Sequence, residues 1–217
     1  MNSRTPSEQP LVIAVDGPAA SGKGTIARAL ARHYGLPHMD TGLLYRAVAL
    51  NLFRFGGDPG NEFEAVRACD LSAVSFDDEE LRSEVVGSFA SRISVYPAVR
   101  AHLLDRQRAF TAQAGGAVLD GRDIGTVIAP HATVKLFVSA TPEVRAKRRL
   151  TELTARGMNA HYDEILGDIR ARDERDAGRE AAPLVKADDA LLLDTSEMDV
   201  EQAIAAAIGL VETQLRP

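Results

Sequence analysis

The stretch that most constrains this chain runs from Leu11 to Ala31. Leu11-Val12-Ile13-Ala14-Val15-Asp16 is short, apolar and rich in β-branched residues, which predicts a buried strand. Ile26, Ala27, Leu30 and Ala31 repeat at the spacing of one helical face. Between them Gly17-Pro18-Ala19-Ala20-Ser21-Gly22-Lys23-Gly24-Thr25 spells G-x-x-x-x-G-K, a phosphate-binding loop. Glycines let successive backbone N–H groups turn inward around an anion. The following helix points its positive end at the same anion. Lys23 adds a mobile point charge for the outer phosphates. The hydroxyl that commonly follows the lysine is displaced by one position, from Gly24 to Thr25.

A chain of 217 residues can bury one good core with small appendages. A formal net charge of −6 argues against a nucleic-acid-binding surface, though not against a local phosphate site. The single cysteine, Cys69, excludes an internal disulfide and fits a reducing compartment. No apolar run reaches the length of a membrane span. Residues 1–10 are polar, carry Pro6 and Pro10 and lack the apolar core of a signal peptide. The expectation is a disordered lead-in over 1–10, one domain over 11–217, a cytoplasmic location, and neither nucleic acid nor membrane as partner. No extended apolar face calls for an obligate partner, so a monomer is expected.

Four further strands are read at Leu36–Met39, Ala117–Asp120, Val134–Val138 and Ala190–Asp194, each followed by a helical pattern. Alternation of this kind predicts an α/β fold, a five-stranded parallel sheet with helices on both faces. Leu71–Phe76 is read as one more short strand, outside that tally. Asp77 is read as opening an acidic helix, and Pro97 and Thr141-Pro142 as starting two others. Candidate ligand groups fall at strand ends, where open α/β sheets bind ligands. Asp40, Thr41 and Arg46 follow the second strand. Asp120-Gly121-Arg122-Asp123 closes the third, and a carboxylate there suits Mg²⁺ held directly or through water. Arg172, Arg175 and Arg179 repeat at i, i+3 and i+7, which places them on one helical face. Interleaved acidic residues leave a salt-bridged solvent face open for them.

Assembled in order, Asp16-Gly17-Pro18, Ser21-Gly22-Lys23-Gly24-Thr25, Asp40-Thr41-Gly42 with Tyr45-Arg46, Tyr96-Pro97 with Arg100, Asp120-Gly121-Arg122-Asp123 and Arg172-Asp173-Glu174-Arg175-Asp176 with Arg179 resemble the bacterial cytidylate kinases of the nucleoside monophosphate kinase family. The likeness spans nearly the whole chain. The Gly-Arg-Asp and Arg-Asp-x-Arg-Asp pieces are its most discriminating parts, and Gly-Lys-Gly-Thr is the form such kinases use. It implies a P-loop NTPase fold carrying a monophosphate-binding insertion, about residues 40–115, and a helical lid, about 150–170. The implied reaction moves the γ-phosphoryl group of ATP to CMP or dCMP. Gly17 to Thr25 would hold ATP. Thr41, Arg46, Ser91, Arg100, Arg122, Asp123, Arg172 and Asp176 would hold CMP. Lys23, Asp120, Arg122 and Arg172 would be catalytic, and Arg175 and Arg179 would belong to the lid. Mg²⁺ would travel with ATP, with Thr25 and Asp120 as its candidate contacts. Only about a dozen residues, Leu71 to Arg82, occupy a region that is longer in many relatives. A shikimate, gluconate or dephospho-coenzyme A kinase would share the loop but not the arginine-rich segments. A GTPase switch would need an Asn-Lys-x-Asp motif, which the chain lacks.

Overall fold

A computed structural model describes residues 10–216. Residues 1–9 of the lead-in expected over 1–10 lie outside them. Five strands, β1 (Leu11–Asp16), β2 (His38–Asp40), β3 (Gly116–Gly121), β4 (Val134–Ser139) and β5 (Leu191–Asp194), form one parallel sheet in the order β2-β3-β1-β4-β5. The apolar strand β1 is central, flanked by β3 and β4, and β3 is buried along its whole length. That is what a sheet covered on both faces requires.

Helix α1 (Lys23–Tyr34) follows the phosphate loop, and α8 (Val200–Leu215) packs beside it. Ile26, Leu30, Ala207 and Val211 meet Ile13, Val15, Leu136 and Val138 there. On the other face Ala14, Leu119, Ile124 and Ile128 form a second cluster, joined by Leu104 and Phe110 of α5 (Pro97–Thr111). Two clusters lie outside this sheet core. One joins α2 (Thr41–Arg54), α3 (Glu62–Arg67), α4 (Glu84–Ile93) and α5 through Leu50, Leu81, Ile93 and Val99. The other joins α6 (Pro142–Ala155) and α7 (Tyr162–Ala177) through Ala146, Leu153, Ile165 and Ile169.

Several local expectations change. Leu71–Phe76 forms turns rather than a strand, because Asp70 and Ser75 side chains accept from the backbone and give it an alternative to a ladder. Asp78 caps a 3₁₀ turn over Glu79–Arg82, and Ser83 caps α4, so the helix opens later than the acidic run suggested. Asn61 caps the unforeseen α3 with bonds to Phe63 and Glu64. A π-type turn occupies Ile124–Ile128. Pro97 and Pro142 both stand in the first turn of a helix, as expected.

Candidate active site

The phosphate loop is built where β1 ends. Gly17 passes so close to β4 that a Cβ on it would lie 2.1 Å from the Val138 carbonyl oxygen, which leaves room for no side chain. Gly22 adopts φ +89° at the N-cap of α1, a conformation that glycine reaches without strain. Asp16 is buried and accepts the backbone N–H groups of Ile124 at 2.8 Å and Gly125 at 2.7 Å, tying the loop to the π turn. Burial pushes its carboxyl up to about 7 against the pull of those two amides.

Lys23 reaches back to donate to the Pro18 carbonyl at 3.2 Å. Burial, and then the Arg122 charge, push its ammonium down to about 7, while Asp120 and Asp40 oppose that shift. A cationic side chain in this position gains from an arriving polyanion. Thr25 accepts from Arg28 at 3.3 Å. Asp120 and Asp40 face each other in register across β3 and β2. Burial, then Asp120, raise the Asp40 carboxyl.

A single cavity of about 1170 Å³ joins this loop to Arg46, Ser91, Asp120, Arg122, Arg172 and Arg175. Arg46 on α2 is aimed by two carbonyls, Leu81 at 2.7 Å and Ser83 at 3.1 Å. Arg172 is held beneath the cavity with an unpartnered Nε, and burial followed by the Arg122 charge pushes its guanidinium down to about 9. The guanidinium groups of Arg46, Arg122, Arg172 and Arg175 and the Lys23 ammonium therefore line one space in a chain of net charge −6.

Behind that wall lies an ion-pair network. Arg122 Nε donates to Asp176 at 2.7 Å, and Arg179 pairs with the other Asp176 oxygen. Arg100 pairs with Asp123, donates to the Ser94 carbonyl at 3.3 Å and lies 5.8 Å from the Tyr45 ring centroid. Thr41 donates to the Asp120 carbonyl at 2.8 Å. Ser91 is buried and accepts from Arg175 at 3.4 Å.

Of the expected residues, Ala19 to Thr25, Arg46, Ser91, Asp120, Arg122, Arg172 and Arg175 line the cavity, Thr41 and Asp176 bond to residues that do, the Arg100–Asp123 pair does not line it, and Arg179 is displaced. Arg172 and Arg175 lie on α7, but Arg179 falls beyond its end at Ala177 and is buried against Asp176. The shared face expected for the three arginines ends with Arg175. Ala182 at φ +54° and the bond from Leu184 N–H to the Asp176 carbonyl fold the chain back there, a turn that i, i+3, i+7 spacing does not reveal. Three side chains escaped the sequence reading. His38 bonds Asp120. Arg145 is buried, with its guanidinium on Asp173 and the Ala19 carbonyl. Arg148 donates to the Thr195 and Met198 carbonyls beside the loop. The only cue for the two arginines in the sequence is the run of basic residues Arg145, Lys147, Arg148 and Arg149 in one helix.

Among the described residues no group of three His, Cys, Asp or Glu side chains could hold a metal by itself. The Thr25 hydroxyl and two strand-end carboxylates, Asp40 and Asp120, stand beside the loop. That donor set suits a hard divalent cation that brings phosphate oxygens and water with it.

Residues 13–213 match the family model described as cytidylate kinase. A cytidylate kinase of Xanthobacter autotrophicus is 58% identical over 94% of this chain and 98% of its own. One from Caulobacter sp. is 55% identical over 93% and 94%. A crystal structure of an uncharacterized protein from Eubacterium ventriosum superposes with a TM-score of 0.57 at 16% identity, over 94% of this chain and 99% of that one, a likeness of fold alone.

Proposed function

Because the chain belongs to the cytidylate kinase family, with the P-loop NTPase fold, we propose that it transfers the γ-phosphoryl group of ATP to CMP or dCMP, releasing ADP and CDP or dCDP. The observation that carries this reading is the second cationic cluster. Arg46, Arg122 and Arg172 share one cavity with the phosphate loop, so two phosphate-bearing ligands can meet head to head.

In this reading Gly17 to Thr25 cradle ATP, and Lys23 follows the outer phosphates. Arg46 and Arg122 clamp the CMP phosphate with bidentate geometry. Arg172 stands between the two and stabilises charge on the transferring group, since positioning and electrostatics dominate such reactions. Ser91, Arg100 and Asp123 read the cytosine ring, Arg172 and Asp176 hold the ribose, and Thr41 braces the end of β3. Arg179 supports the acceptor pocket through Asp176, and Arg175 reaches Ser91 from the lid side. The Thr25 hydroxyl and, through water, the Asp120 carboxylate would hold the Mg²⁺ that comes with ATP, and that ion would supply charge neutralisation on the phosphates. The α2–α5 cluster forms the monophosphate-binding segment, about residues 40–115. The α6–α7 hairpin forms the lid, about residues 150–170, and excludes water. The enzyme works as a monomer in the cytoplasm, with nucleotides rather than nucleic acid or membrane as partners. Among the described residues no helix is long and apolar enough to cross a membrane.

A coupled ADP-release assay with Mg·ATP tests this directly. Fast turnover of CMP and dCMP is expected with little of UMP, because a site that pairs with the cytosine amino group rejects uracil, which lacks it, and little of AMP, whose purine is larger. Equal turnover of CMP and UMP would withdraw the base-reading roles, and no turnover of any nucleotide would withdraw the reaction.

A further inference from the structure

The carboxylate of Asp120 is held by a side chain for which phosphoryl transfer as described has no use. In the parallel register of β2 and β3, His38 pairs with Val118 and Asp40 with Asp120. Residues two apart on a strand share a face, so His38, Asp40 and Asp120 point to one side of the sheet. From there His38 Nε2 reaches diagonally to Asp120 Oδ1 at 2.7 Å. The two side chains are 17% and 4% exposed. The Asp120 carbonyl is occupied by Thr41, which pins the backbone of the same residue. The second carboxylate oxygen, Oδ2, lies 3.5 Å from the point where a Cβ on Gly24 would stand, directly beside Thr25.

We propose that His38 is a positioning residue, whose imidazole fixes the Asp120 side chain so that Oδ2 stays aimed at the Gly24–Thr25 edge of the phosphate loop. This rests on the assignment of Asp120 as the carboxylate that orients the water shell of nucleotide-borne Mg²⁺. Without His38, Asp120 has an in-register carboxylate, Asp40, on one side and the Lys23 ammonium on the other. Repulsion from the first and attraction to the second would both turn it from its present direction. A ring nitrogen donating to Oδ1 supplies the missing restraint. Outer partners of metal-oriented carboxylates act in this way, and their loss costs roughly 10- to 100-fold in metal affinity or activity. A packing role does not account for the ring. His38 belongs to none of the buried apolar clusters, and its outer edge borders a shallow pocket lined by Arg28, Arg32 and Gly35.

The test uses the full chain and calorimetric binding of the β,γ-imido analogue of ATP, with excess Mg²⁺ and with EDTA. The ratio of the two affinities measures the gain due to the metal. His38→Leu is expected to cut that gain roughly tenfold or more, leaving the EDTA affinity and the affinity for CMP at wild-type values. His38→Gln, whose amide can stand where Nε2 stands, is expected to restore it. In turnover, the His38→Leu loss should fall on kcat rather than on the KM for CMP. A wild-type gain in His38→Leu overturns the proposal. So does an equal loss in EDTA and in CMP affinity that His38→Gln fails to rescue, since that is general damage to the site. Asp120→Asn separates the two levels of the argument. If it lowers the gain while His38→Leu does not, only the His38 proposal falls. If Asp120→Asn keeps the full gain, the Asp120 assignment falls and takes the His38 proposal with it.

Discussion

Asp176 keeps its charge in a place that would ordinarily neutralise it. Its side chain is 1% exposed, and burial alone would raise the carboxyl. The charges of Arg122, Arg179 and Arg172 outweigh burial and hold it down to about 2. Asp123, in the same network, goes the other way: burial raises its carboxyl despite the nearby charges of Arg100, Arg179 and Arg122. The folded value for Asp176 lies below the ordinary 3.8, so its ionised form stabilises the fold above that pH. The contribution is lost as pH falls through 3.8 toward 2. At neutral pH it amounts to about 2 kcal/mol. Asp176→Asn is therefore expected to be less stable than wild type by about that much or somewhat more, since three guanidinium groups are left to face one another. In urea unfolding the gap should stay constant from pH 7 to about pH 5 and narrow on further acidification. A gap of unchanged size at pH 3 would contradict the electrostatic account.

At the level of elements, what could be read in advance was whatever depends on local pattern. β1, the phosphate loop and α1 declare themselves because an apolar run, glycines and a helical stripe adjoin one another. The starts at Pro97 and Pro142 follow from the one helical position that tolerates proline well. The 71–83 region and the π turn did not declare themselves, because their backbone bonds are satisfied by capping side chains or by distant ones. Asp16 is the clearest case, since its carboxylate stands 108 residues from the Ile124 amide it accepts. The site divides in the same way. Arg46, Arg122 and Asp123 were legible because they follow strand ends, whereas the placement of Arg179 and the His38 contact depend on how separate segments fold back. The π turn begins at Ile124, next to Asp123. Asp16→Asn keeps one acceptor oxygen and substitutes an amide for the other, which leaves a buried N–H without its bond. The expected result is a loss of about 1–3 kcal/mol in denaturant unfolding, with a raised KM for CMP and little change in the KM for ATP. A KM increase for ATP alone would mean that the π turn does not position Asp123.

Across the whole molecule, the two clusters outside the sheet core face each other over the cavity, and specific contacts span the gap. Arg149 of α6 pairs with Glu84 of α4, and Arg175 of α7 donates to Ser91 of α4. Arg149 also holds Glu152 on its own helix at 2.5 Å. Glu84 is 57% exposed, so its pair with Arg149 contributes little to folding stability. Its consequence belongs to closure. A kinase that closes poorly lets water compete with the acceptor for the γ-phosphoryl group. Glu84→Gln removes the charge without altering the size of the side chain and touches none of the groups assigned to CMP or ATP. The free energy of such a pair, about 0.2–1 kcal/mol, corresponds to a shift in the closure equilibrium of up to roughly fivefold. ATP hydrolysis in the absence of CMP, divided by CDP formation in its presence, is therefore expected to rise by up to roughly fivefold in Glu84→Gln, with the unfolding midpoint unchanged. Raising the ionic strength of the wild-type assay should move the same ratio in the same direction, because salt screens a pair at the surface. A ratio that responds to neither change would show that the Arg149–Glu84 pair has no part in closure.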